Sequence, residues 1–172
     1  LNMPGIEFQV EQERVPLNSN GCDKIQFLIS VNPGEPAKPI AKIASGGELS
    51  RIMLAIQTVL SAHDDLDTMI FDEVDTGISG SAAQKVGLKL HKVSRYAQVI
   101  CITHLAQIAC LADYHLLIQK QVTENKTYTQ VIPLSKEAQI KEIARMIGGQ
   151  AITPLLLQNA QEMIDSAKQL KS

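Results

Sequence analysis

Two acidic residues, Asp72 and Glu73, end the apolar run Met69-Ile70-Phe71. A buried strand that stops on adjacent carboxylates delivers them at its carboxyl end, where open α/β sheets bind their ligands. Successive side chains of an extended chain point opposite ways, so the two acids can divide labour. Asp72 can hold Mg²⁺, directly or through water, while Glu73 reaches a nucleophilic water as general base. Hydrolysis of a phosphoanhydride needs that division. The plainer alternative is a solvated strand end that caps the following helix.

Three further groups stand at comparable places. Ser45-Gly46-Gly47-Glu48 opens a helical pattern that runs on through Leu49-Ser50-Arg51. Two glycines there leave N–H groups open at the positive end of the helix dipole, where an anion such as a phosphate can approach. Ser45 and Glu48 also have the spacing of a capping box, and the two readings are compatible. His104 follows the apolar run Val99 to Ile102 and shares a sheet edge with the carboxylates if the strands are parallel neighbours, which suits a phosphate-sensing role. Val74-Asp75-Thr76-Gly77-Ile78-Ser79-Gly80 is either a simple strand-to-helix turn or a loop that brings Asp75 to the same site or to a partner across an interface. His63, His91 and His115 have no such company. No G-x-x-x-x-G-K-[ST] occurs, and the chain has no Gly-Lys dipeptide at all, so the phosphate cradle is missing and the chain reads as half of a site.

These groups must be positioned by surrounding elements. Ile6, Phe8 and Val10 alternate with polar residues, and a turn cluster at Asn18 to Gly21 leads to Ile25, Phe27, Ile29 and Val31, the pattern of an antiparallel hairpin. Asn32 to Pro39 reads as a connector. Leu49, Ile52, Met53, Ile56, Val59 and Leu60 recur at helical spacing behind Ser45 as N-cap. Thr68 to Phe71, a helix over Ser81 to Ser94 and Val99 to Ile102 form a β-α-β unit with parallel strands. Tyr114 to Val122 and Thr127 to Ile132 flank Thr123-Glu124-Asn125-Lys126 as a second hairpin. Two helices close the chain, one stopping at Gly148-Gly149 and one opening with Thr153 as cap and Pro154 at the first helical position.

Composition fixes the class. The 172 residues, 45% of them hydrophobic and 20% charged, suffice for one globular domain, residues 1–172. With 16 Lys+Arg against 18 Asp+Glu there is no global basic field for nucleic acid, and scattered lysines such as Lys136, Lys141, Lys168 and Lys171 read as solvated helix faces. No apolar run approaches a membrane span and no signal segment opens the chain, so no membrane partner and a cytoplasmic location are expected. Cys22, Cys101 and Cys110 lack zinc-site spacing and read as buried thiols. The start at Leu1 rather than Met suggests a piece of a longer protein.

Taken jointly and in order, Ser45-Gly46-Gly47-Glu48, Ile70-Phe71-Asp72-Glu73, Val74-Asp75-Thr76-Gly77 and His104 resemble the signature motif, Walker B, D-loop and switch histidine of ABC-type ATPases. From about Phe27 onward, Ala44-Ser45-Gly46-Gly47-Glu48-Leu49-Ser50-Arg51, Phe71 to Gly80 and Ile102-Thr103-His104-Leu105 resemble the RecN family of bacterial DNA-repair ATPases, itself similar to the SMC proteins. The D-loop departs from the Ser-Ala-Leu-Asp pattern of transporters.

The resemblance implies an α/β fold, the C-terminal lobe of an ABC/SMC-type P-loop ATPase head, with a parallel β-α-β core, flanking antiparallel hairpins and C-terminal helices. A long coiled coil and an N-terminal P-loop half-head would lie outside this chain. It further implies ATP and Mg²⁺ as ligands, with Asp72 for Mg²⁺, Glu73 as catalytic base and His104 as γ-phosphate contact. Ser45, Gly46, Gly47 and Glu48 would bind ATP held by a second head in a homodimer, with Asp75 at that interface. The implied function is ATP-driven head engagement on DNA in double-strand-break repair and recombination, in the cytoplasm at the nucleoid. Another SMC-like head fragment and a non-catalytic ABC-like interaction module are the alternatives.

Overall fold

The computed structural model describes residues 5–30, 34–42, 45–60, 66–123 and 126–171. The expectations that touch Leu1, Val31, Asn32, Pro33, Ala44, His63, Glu124 and Asn125 lie outside those residues.

The centre is the β-α-β unit. Strands β4 (Thr68–Phe71) and β5 (Gln98–Cys101) pair in parallel, with Met69 opposite Val99 and Phe71 opposite Cys101. Helix α2 (Gly80–Val93) connects them and lays Ala83, Val86, Leu90 and Val93 on one face of the pair. Helix α1 (Gly46–Leu60) adds Leu54 to the same core, together with Met69, Phe71, Val74 and Ile108. Period-two alternation decides which strand residues enter it: Met69 and Phe71 are buried, whereas Ile70 between them is 68% exposed. Ile100 and Ile102 are exposed with it, so the second face of this sheet is apolar and uncovered among the described residues.

The flanking elements follow the expected pattern with small shifts. Strands β1 (Glu7–Asn18) and β2 (Gly21–Ser30) form the first hairpin, closed by a turn in which Asn20 N–H donates to Asn18 Oδ1 at 2.8 Å and Gly21 takes φ 102°. Phe8 and Phe27 stack at 5.6 Å on its apolar face, which is half exposed. Part of the expected connector is itself structured: β3 (Lys38–Pro39) pairs with Leu28 and Ile29 of β2. Proline is tolerated there because it lies at the edge of the sheet. Strands β6 (Leu116–Thr123) and β7 (Lys126–Pro133) form the second hairpin, with Val122 opposite Thr127.

A second core holds the C-terminal helices. Helix α4 (Lys136–Gly148) starts on Ser135, whose Oγ accepts the Ala138 N–H at 3.3 Å, and ends at Gly149, φ 78°. Helix α5 (Pro154–Lys171) starts on Thr153, whose Oγ1 accepts the Leu156 N–H at 3.3 Å. Ile143, Ala144 and Ala160 pack together with Ala106 from α3 (Ala106–Ala109), a one-turn helix too short to leave a periodic signal. Gly148 admits Leu156, whose Cδ1 would collide with any Cβ there.

Leu54 is fully buried between α1, β4 and α2. Leu54→Ala should lower the free energy of unfolding by about 2–5 kcal/mol, transfer and cavity contributions together, as read from the midpoint and slope of a urea denaturation curve.

Candidate functional site

Because β4 and β5 run in parallel with Phe71 opposite Cys101, the chain leaves both strands at the same edge. Asp72-Glu73 and Ile102-Thr103-His104 therefore emerge side by side, and the Ile102 N–H still donates to the Phe71 carbonyl at 2.9 Å. The first turn of α1 docks onto the loop that follows Phe71. Ser50 Oγ donates to the Asp72 carbonyl at 2.8 Å, and Arg51 donates through one guanidinium nitrogen to the carbonyls of Val74 (3.3 Å) and Thr76 (2.7 Å). Every site residue expected from the sequence thus belongs to one contiguous cluster.

The glycines permit this docking. A Cβ on Gly47 would lie 2.9 Å from Thr76 Cβ and 3.0 Å from the carbonyl oxygens of both Glu73 and Thr76. A Cβ on Gly46 would collide with Glu73 Oε2. The Glu73 carboxylate accordingly rests against the N-terminal turn of α1, whose unpaired N–H groups and dipole favour negative charge. At that helix start Ser45 Oγ accepts the Glu48 N–H at 3.4 Å, and the Ser45 carbonyl accepts the Leu49 N–H at 3.1 Å. The serine half of the capping box is made.

Glu73 has a left-handed backbone, φ 56°, a conformation that costs a non-glycine residue of order 1 kcal/mol or more. Two bonds hold it there. Asp72 Oδ1 accepts the Glu73 N–H at 2.8 Å, and the Glu73 carbonyl accepts the Thr76 N–H at 3.0 Å. The turn lifts the Glu73 side chain out of the sheet edge into solvent beside the glycines.

Asp75 is held within the chain. Its side chain turns inward, only 3% of the residue is exposed, and its Oδ2 accepts from Thr103 Oγ1 at 2.6 Å and from the His104 N–H at 2.9 Å. The imidazole Nδ1 of His104 is 3.0 Å from the same oxygen, and the ring is otherwise exposed. Burial, reinforced by the charges of Asp75 and Asp72, pushes the Cys101 thiol up to about 12, so this cysteine stays neutral and inert. The same charges give the edge a negative potential that suits a cation.

Sequence reasoning assigned no role to Ser50, Arg51 or Thr103. Arg51 carries a signal, since it interrupts the apolar stripe between Leu49 and Ile52 on the buried side of α1. Burial lowers its pKa while Glu48 opposes the shift. His91 and His115 lie away from the cluster, and burial lowers the pKa of His115. Neither of two shallow concavities, one on the β6–β7 hairpin and one between α2, α3 and α5, includes the carboxylates. The cluster is an open surface.

The fold is that of SMC ATPase head domains. It superposes on a solved SMC ATPase, studied for ATP-driven dimerization and DNA-stimulated activation, with a TM-score of 0.50 over 86% of this chain and 85% of that one, at 20% identity. A Smc head domain with a coiled coil and joint from Pyrococcus yayanosii gives a TM-score of 0.55 over 96% of this chain and 26% of that one, also at 20% identity. No family model matches the sequence.

Curated relatives narrow the class. The chain is 50% identical to the DNA repair protein RecN of Bacillus subtilis over 163 residues, 95% of this chain and 28% of that protein. It is 45% identical to RecN of Vibrio cholerae over 97% of this chain and 30% of that protein. The chain is therefore similar to one segment of RecN proteins, and it spans about three tenths of the length of those relatives.

Gly47→Ala should destabilise the chain by about 1–3 kcal/mol despite the better helix propensity of alanine, because the added methyl meets main-chain oxygens that cannot step aside. Thermal or urea melts of the two proteins measure the difference, and equal stability would mean that the docking is looser than described.

Proposed function

We propose that this chain is the C-terminal half of a RecN-type ATPase head, and that ATP binding and hydrolysis between two such heads drives their engagement on DNA during double-strand-break repair and recombination. The observation that carries this reading is the docking of the glycine-led helix α1 onto the Asp72–Thr76 loop beside His104, next to a strand face that nothing among the described residues covers. Parallel strands are ordinarily covered on both faces. Ile70, Ile100 and Ile102 are thus a fit for the missing P-loop lobe. A solved SMC ATPase of the same fold supports the head assignment, and the relatives named as DNA repair proteins support the biological role.

In this reading Asp72 holds Mg²⁺. Its Oδ1 is occupied by the Glu73 N–H, which leaves the second oxygen as a hard anionic ligand. The described residues form no cluster of three His, Cys, Asp or Glu, and a lone carboxylate completed by substrate phosphates and water is an ordinary Mg²⁺ site. The ion would neutralise charge that develops on the phosphates. Glu73, raised into solvent by its left-handed turn, orients and deprotonates the attacking water. His104 donates to a γ-phosphate oxygen through Nε2, which requires a proton on that nitrogen. Ser45, Gly46, Gly47 and Glu48 present hydroxyl and main-chain donors to ATP carried on the P-loop of the second head, so that nucleotide joins the two heads and its hydrolysis releases them. The loop of Asp75 borders that interface while its carboxylate serves His104. No helix among the described residues is long and apolar enough to cross a membrane, in keeping with a cytoplasmic, nucleoid-associated protein.

ATP hydrolysis measured for this chain alone, for its mixture with the P-loop lobe of the same protein, and for that mixture carrying Glu73→Gln should appear only in the second case. Glu73→Gln should reduce turnover by about 100-fold or more and accumulate ATP-bound dimers. Turnover by the lone chain would overturn the split site, and unchanged turnover in the variant would overturn the role of Glu73. Ile70→Asp places a charge on the open strand face and should weaken association with the P-loop lobe by at least about tenfold in calorimetry. The circular dichroism of the chain itself should not change, since Ile70 contributes nothing to its core.

A further inference from the structure

Asp75 is the one buried acidic residue among those described, and a single oxygen of its carboxylate lies 2.6 to 3.0 Å from three polar groups. Two of them belong to His104, whose main-chain N–H (2.9 Å) and Nδ1 (3.0 Å) converge on Oδ2. The third, the Thr103 hydroxyl at 2.6 Å, also accepts the Leu105 N–H at 3.1 Å and so fixes the turn that leads into α3. For Nδ1 to donate it must carry the proton, which leaves Nε2 as the acceptor in the neutral ring; Nε2 can donate to a phosphate oxygen when both ring nitrogens carry protons. The His104 side chain is 74% exposed and has no other partner among the described residues, so Asp75 is the one group among them placed to select its rotamer and its tautomer. On the opposite side Arg51 grips the carbonyls of Val74 and Thr76, the residues that flank Asp75.

We propose that Asp75 is a positioning residue: it holds His104 with Nε2 turned toward the phosphate site, and it makes that imidazole move with the 74–76 loop and, through Arg51, with helix α1. A shift of α1 when a second head binds would then be transmitted to His104 through two hydrogen-bonded links, without rearrangement of the strands. The catalytic part of this inference rests on His104 as a phosphate contact; the tautomer does not.

The test has two readouts. Long-range ¹H–¹⁵N NMR of the chain, with His104 assigned by comparison with His104→Ala, should show the Nδ1–H tautomer on the neutral, high-pH limb, and Asp75→Asn should mix in the Nε2–H form. In the head reconstituted with the P-loop lobe, Asp75→Asn should lower kcat by about 10-fold to 100-fold, the scale of losing a carboxylate that orients a functional imidazole, with KM for ATP within about threefold. In a His104→Ala background the same substitution should change kcat by less than about twofold, because residues that act as a unit are not additive. An Nε2–H tautomer in the unaltered chain, or an equal loss of kcat in both backgrounds, would overturn the proposal. Should Asp75→Asn fail to fold, the tautomer of the unaltered chain decides. A reconstituted head without ATPase activity would count against the proposed function, while the NMR result would still decide what Asp75 does to His104.

Discussion

The approach of α1 to the loop after β4 governs the arrangement of the whole edge. At Gly47 the helix backbone comes so near the carbonyls of Glu73 and Thr76 that no side chain fits between them. That proximity lets Ser50, one turn further on, reach the Asp72 carbonyl, and lets Arg51 reach the carbonyls of Val74 and Thr76. The loop is then held from one side by the helix and from the other by the bond between Asp75 and Thr103. Glu73, between these anchors, has little choice of backbone, and its left-handed conformation persists because its neighbours are fixed.

Arg51 illustrates why this contact needs its residue type. Burying a cation is unfavourable unless its protons are matched, and burial here does lower the pKa of the guanidinium. Two carbonyls on one turn are matched by a rigid, planar donor more readily than by an ammonium on a flexible stem. The Glu48 charge, one turn back on the same helix, offsets part of the desolvation. Nε of Arg51 is left buried and without a partner among the described residues, so the match is incomplete. An arginine kept buried under those terms is there to hold the loop and adds little net stability.

Much of this could be read from residue order, and the rest could not, for physical reasons. The strand Thr68–Phe71, the capped start of α1 at Ser45 and Pro154 at the head of α5 are local signals, and the structure has them at those residues. That the two carboxylates and His104 share an edge followed from the β-α-β topology, because parallel neighbours end on the same side. By contrast α3 spans a single turn, and β3 is two residues bridged to a distant strand, so neither carries a periodic signal. The inward turn of Asp75 depends on donors 28 and 29 residues away, which its own loop does not announce. Arg51 was legible only as a charge in an apolar stripe.

Coverage of the sheet separates a chain that is complete in itself from one that is not. Two parallel strands make a minimal sheet, and such pairs gain stability by burying both faces. Here one face is filled by α1 and α2, while the other carries Ile70, Ile100 and Ile102 in the open. The β1–β2 hairpin shows the same asymmetry, with Phe8 and Phe27 stacked on a half-exposed apolar face. An isolated monomer would have little reason to keep branched aliphatics on that side of β4 and β5, where any polar residue of strand propensity would serve. Their presence is explained if a second layer completes the sheet, and under the proposed reading that layer also brings the phosphate cradle that residues 1–172 lack. Under that reading the apolar face and the absent cradle have one cause: a single further lobe would close the core and complete the site.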